Sequence, residues 1–145
     1  MRKGIDHVGV CVVFYCHDGK GRFILSKRTK KSRDEHGTWD PGGGGVDFGE
    51  PVLKALKREI REEYCTRVLA ADFLGYRDVH RKDEKGRKTH WLALDYKVLV
   101  DPGKVKNGDS IKHERIDWFT LKTLPEPMHS QWGEFLRLYR DRLEK

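Results

Sequence analysis

The sequence predicts an α/β fold in which a β-sheet is covered by helices. Three observations carry this. Runs rich in Val and aromatics, such as Val8 to Tyr15 and Trp91 to Leu94, read as buried strands. Between the strands lies one segment, Pro51 to Tyr64, with helical apolar spacing. A second amphipathic segment closes the chain. At 145 residues the chain fits a single domain spanning 1–145.

The elements follow in order. His7 to Cys16 reads as a strand, and His17-Asp18-Gly19-Lys20-Gly21 as a turn into a second strand, Arg22 to Lys27, so the pair predicts a hairpin. Thr29 to His36 is a charged loop. Trp39-Asp40-Pro41 leads into four glycines, Gly42 to Gly45. Pro51 opens the helix, where its missing N–H costs nothing. Val68 to Val79 alternates as a strand, His80 to Lys88 is a charged loop, and His90 to Val100 is another strand. Ile116 to Phe119 is a short strand. Gln131 to Leu143 is the terminal helix, with Ser130 as its N-cap.

Composition narrows the function. Lys and Arg number 30 against 23 Asp and Glu, a net charge of +7, which favours phosphates, nucleotides or nucleic acid as partners. No stretch approaches the ~20 apolar residues of a membrane span. Cys11, Cys16 and Cys65 are odd in number and show no CxxC spacing, so no disulfide framework is expected and a cytoplasmic setting is. His17, His36, His80 and His90 show no ligand spacing, so no zinc site is expected.

The central helix carries the chemistry. On a helical wheel Val52, Leu53, Leu56, Ile60 and Tyr64 form the core face. Lys54, Lys57 and Arg61 lie opposite. Glu59, Glu62 and Glu63 share a third arc, within reach of one another, with Arg58 at its edge. Carboxylates so grouped suit a solvated face or a hard divalent cation, since Mg²⁺ prefers carboxylate oxygens and retains waters for a phosphate. The preceding glycines let backbone approach a ligand closely.

Gly44, five residues, Glu50, seven residues and then Arg58-Glu59-Ile60-Arg61-Glu62-Glu63 resemble the Nudix box, G-x5-E-x7-R-E-U-x-E-E-x-G-U with U aliphatic. Six matched positions at about 7% usage each arise by chance in on the order of one chain in 10⁵. The lead-in Trp39 to Gly43 also looks like the family's approach to the box. Two positions depart: Cys65 replaces the box Gly and Thr66 the aliphatic residue. The Gly ends the helix in a left-handed conformation, so Cys65 costs on the order of 1 kcal/mol or the helix ends differently.

The resemblance implies an α/β/α sandwich around a central mixed sheet, and Mg²⁺- or Mn²⁺-dependent hydrolysis of a nucleoside diphosphate linked to another group. It implies that Glu59, Glu62 and Glu63, with the Gly43 carbonyl, hold metal, and that Arg58 orients a box glutamate. Glu50 is the box's loop-side acid. The base is a box glutamate or Glu114, in a segment resembling H-E-x-x-x-W before the last strand. Gly43 and Gly44 are placed to meet the substrate.

The basic runs Lys27 to Arg33 and His80 to Lys88 are placed to draw in a polyphosphate or an RNA 5′ end, with Arg28 the preferred single residue. Trp39, Phe48, Tyr76 and Trp91 are candidates to stack a base, with Trp39 foremost. A nucleoside triphosphate or related small nucleotide is favoured, because the place where ADP-ribose hydrolases carry a proline has none. Two alternatives stand beside it. An isopentenyl-diphosphate-isomerase-like enzyme is suggested by Leu25 to Arg28 and Gly37 to Asp40, but needs a catalytic Cys. The other is an RNA-binding module. A homodimer is compatible with the chain.

Overall fold

The computed structural model describes residues 1–32 and 34–145. Its strands are β1 (Gly9–His17), β2 (Phe23–Arg28), β3 (Trp39–Asp40), β4 (Gly43–Gly45), β5 (Val68–Lys82), β6 (Lys88–Val100) and β7 (His113–Phe119). The helices are α1 (Val52–Tyr64) and α2 (Trp132–Leu143). The sheet runs β3-β2-β1-β6-β5, with β4 added to β1 and β7 to β2. β1 and β6 pair in parallel, from Gly9 opposite Trp91 to His17 opposite Leu99, and the other pairings are antiparallel. The sheet is therefore mixed, as expected.

Helices lie on both faces because β1 and β2 are apolar on both. Val12, Phe14 and Cys16 pack with Leu56, Ile60 and Tyr64 of α1. Tyr15, Phe23 and Leu25 pack with Trp132, Phe135, Tyr139 and Leu143 of α2. Alternation along β1 thus divides its side chains between the two cores. Across the second core, Arg77 and Asp95 form a buried ion pair at 2.7 Å, and the Tyr139 hydroxyl donates to Asp95 at 2.8 Å.

Several local expectations are corrected. Leu53 is exposed, and the buried stripe of α1 is Ala55, Leu56, Ile60, Glu63 and Tyr64. Pro51 is the N-cap, one residue before the helix. Residues 80–82, expected in a loop, continue β5 and pair with residues 88–90. The turn beyond them is closed by Asp83, whose carboxylate accepts from the Arg87 backbone and guanidinium. Ser130 does not cap α2. Its hydroxyl donates to Glu35, and Gln131 precedes the helix without a side-chain cap. At the end of α1, Cys65 adopts the left-handed conformation, φ 57°, and its N–H donates to the Arg61 carbonyl. The cost anticipated for a non-glycine is therefore present. Thr66 is buried through a hydrogen bond from its hydroxyl to the Asp101 carbonyl. No described helix is long and apolar enough to cross a membrane.

Candidate functional site

Two contacts fix α1 against the glycine loop. The Tyr64 hydroxyl donates to the Pro41 carbonyl at 2.8 Å. At Gly44, an added Cβ would lie 2.1 Å from the Glu59 carboxyl carbon, so only glycine seats that carboxylate. Gly43 pairs with Val13 and Gly42 accepts from the Phe14 N–H. Successive carbonyls of an extended strand point to opposite sides, so that of Gly43 points away from β1.

Arg58 organises the acidic face. Its Nε and Nη2 grip both oxygens of Glu50 at 2.8 and 2.9 Å. Nη2 also donates to the Gly45 carbonyl at 3.1 Å. Nη1 reaches Glu59 at 2.9 Å and Glu62 at 3.3 Å. One planar guanidinium thus ties the loop to both carboxylates, which the fork geometry of arginine permits. It holds the Glu50 carboxyl down to about 2. Burial pushes the Glu59 carboxyl up, against the pull of Arg58.

Glu63 departs from the expected grouping. It sits beside Ile60 and Tyr64 on the helix, so its side chain enters the core. There Oε1 lies 3.1 Å from His113 Nε2, and Oε2 is buried without a hydrogen-bond partner. Burial raises its carboxyl to about 7. The three box glutamates are therefore split, two at Arg58 and one at His113, where the sequence suggested a single cluster. Glu114 is also displaced from the expected site. On the strand it points opposite to the buried His113, and its exposed carboxylate lies 3.5 Å from Lys27.

Gly42 to Gly45, Glu63 and His113 line one side of a cavity of about 380 Å³. Arg77 and Val79 of β5, Trp91 and Ala93 of β6, and Trp132 and Phe135 of α2 supply other walls. Arg28 lines it too, but its charge is met by Asp34 and Asp40, both at 3.0 Å. Arg33, part of the same basic run, lies outside the described residues. Three donors on lining residues are buried and have no partner: Arg77 Nη1, Arg81 Nε and Trp132 Nε1. Trp39 is not placed to stack a base. It is 6% exposed, packs edge-on against Phe119 and carries Arg115 over its ring. Phe48 and Tyr76 are exposed and do not line the cavity, whereas Trp91 does.

Sequence reasoning missed Arg77, Trp132 and the role of His113, and saw Arg81 only as part of a basic run. A signal existed for two of them. Arg77, Val79 and Arg81 recur at every second position between Tyr76, Asp78 and His80, which marks one face of a strand. Trp132 and His113 depend on long-range packing that no local spacing encodes.

A family model described as the NUDIX domain matches residues 6–139. The ADP-ribose pyrophosphatase of Methanocaldococcus jannaschii is 30% identical over 105 residues, covering 72% of this chain and 58% of that protein. The CTP pyrophosphohydrolase of Escherichia coli is 30% identical over 79 residues, covering 52% of this chain and 56% of that protein. The chain thus spans somewhat over half the length of these curated relatives. Among solved structures, a MutT NUDIX hydrolase from Burkholderia pseudomallei superposes with TM-score 0.76 at 31% identity, covering 91% of this chain and 98% of that one.

Proposed function

The chain belongs to the NUDIX family, and on that premise we propose that it is a Mg²⁺- or Mn²⁺-dependent pyrophosphohydrolase acting on a small nucleotide, most simply a nucleoside triphosphate. The observation that carries the reading is the Arg58 network, which holds Glu59 and Glu62 beside a glycine loop that opens on a cavity.

The residues present fit a hard cation. Glu63 Oε2 is a buried acceptor with no protein partner, and the donor set is carboxylate oxygen. Glu59, Glu62, Glu63 and the Gly43 carbonyl would hold the metal. When bound, the metal neutralises the diphosphate and acidifies the attacking water. Arg58 keeps the Glu59 and Glu62 carboxylates in place. Glu59, held by Arg58 with its carboxyl raised by burial, accepts the proton of the attacking water. Glu114, paired with Lys27, is left out of this assignment.

The cavity supports a nucleotide. Its volume is of the order of a small-molecule site. Trp91, Trp132 and Phe135 offer apolar wall for a base. The unpartnered N–H groups of Arg77, Arg81 and Trp132 match acceptor atoms of a base or sugar. The names of the relatives, which act on ADP-ribose and CTP, agree with a nucleotide.

The test is a panel of nucleoside triphosphates, dinucleotides, nucleotide sugars and 5′-triphosphate RNA, incubated with Mg²⁺ and with Mn²⁺. Release of a nucleoside monophosphate with pyrophosphate, or with the second phosphorylated half, is expected. Conversion of isopentenyl diphosphate without phosphate release, or RNA binding in EDTA with no hydrolysis in the panel, would reject it.

A further inference from the structure

We propose that Asp78, His80 and His90 form a zinc-binding site on the β5–β6 hairpin, separate from the carboxylate site of α1. Donor atoms of the three residues lie within 4.8 Å of one another. His90 Nε2 and Asp78 Oδ1 are 2.9 Å apart, and the two imidazole rings pack with centroids 4.1 Å apart.

The strand register explains the grouping. His80 stands directly opposite His90. The His90 N–H donates to the Gly4 carbonyl rather than toward β5. The pair is therefore of the non-hydrogen-bonded kind, where facing side chains approach most closely. Asp78 is two residues along β5 from His80, on the same face and diagonal to His90. Val79 and Trp91 point the other way and line the cavity. The site is thus on the outer face of the two strands whose inner face forms a cavity wall.

The chemistry selects the metal. Two imidazoles and one carboxylate suit Zn²⁺ and its neighbours, not the all-oxygen preference of Mg²⁺. With Zn–N and Zn–O bonds of ~2.0–2.1 Å, adjacent ligand atoms of a tetrahedron are about 3.3 Å apart. The Asp78–His90 pair, at 2.9 Å, needs to open by only about 0.4 Å to reach this, and a rotamer adjustment of exposed His80, whose donor atom lies within 4.8 Å of both, closes the other two edges. The fourth position faces solvent. Lys82 and Lys88 form the next outward cross-strand pair toward the turn, and their long stems let the charges move off. Bound zinc would brace the hairpin end that carries Arg81.

The test titrates the full chain with Zn²⁺ against a chromophoric chelator, in excess Mg²⁺ to occupy the carboxylate site. One zinc equivalent is expected for the wild type. His80→Ala and His90→Ala are each expected to weaken it by at least about tenfold. In the wild type, zinc should shift the ring resonances of both His80 and His90 by NMR, a readout needing no variant to fold. Mg²⁺-supported hydrolysis by His90→Ala should be unchanged. No zinc binding, equal binding by the variants, or zinc binding that leaves both rings unshifted would overturn the proposal.

Discussion

Replacing Arg58 with alanine tests whether one guanidinium organises the site. The side chain makes two bonds to Glu50, one to Glu59, one to the Gly45 carbonyl and a longer contact to Glu62. Charge-assisted bonds are worth about 1.5–3 kcal/mol each when broken with one partner left in place. Arg58 is 32% exposed, so water takes over part of this. The net loss should be about 2–4 kcal/mol, between surface and buried ion pairs. At this chain length that lowers Tm by roughly 2–4 °C per kcal/mol. Released from Nη1, Glu59 and Glu62 lose orientation, and kcat should fall by about 10–100-fold. Mn²⁺ affinity should not fall, because every carboxylate remains and a positive charge has gone. Arg58→Lys should restore charge without the fork, and so only part of both losses. Circular-dichroism melts, turnover at saturating substrate and Mn²⁺ binding by EPR measure the three effects. An Arg58→Ala protein with wild-type Tm and turnover, or full rescue by lysine, would refute the reasoning.

Three further outcomes are expected. Cys65→Gly should stabilise the chain by up to about 1 kcal/mol in denaturant titration, because Cys65 holds φ 57°, whereas Cys65→Ala should bring no such gain. Asp95→Ala should cost about 3–5 kcal/mol by the same measurement, since it strands the buried Arg77 guanidinium and the Tyr139 hydroxyl. Without divalent metal, stability should fall as pH rises from about 4.5 to about 7: Glu63 binds its proton more tightly folded than unfolded, so its favourable contribution is complete below the unfolded value and lost through the folded one. Glu63→Gln should flatten that slope in pH-dependent melts, and Glu50, held down to about 2, should contribute none of it.

Much of this architecture was legible in local pattern, and the exceptions share a cause. Strand runs, the helix and the box spacing are short-range signals, and they located α1 and the five longer strands within a few residues, whereas the short β3 and β4 read as a lead-in and a glycine loop rather than as strands. The double-sided burial of β1 and β2 also shows in their unbroken apolar runs. What could not be read is pairing at a distance. Glu63 is indistinguishable from Glu59 and Glu62 on a wheel until His113, fifty residues on, receives it in the core. Trp39 looks like a stacking residue until Phe119 and the α2 side of the sheet cover it. His80 and His90 lack ligand spacing as a sequence and meet only through the antiparallel register. Leu53 is the converse, an apolar residue on the predicted face that stays 54% exposed.

The central claim is that the carboxylates on α1 make hydrolysis depend on a divalent cation. The direct measurement compares Mg²⁺-dependent turnover of the best substrate by the wild type, Glu59→Gln and Glu62→Gln, with folding checked by circular dichroism. The account predicts a loss of at least about 100-fold in one or both variants, the scale of a missing base or ligand. Wild-type turnover by both folded variants would contradict it.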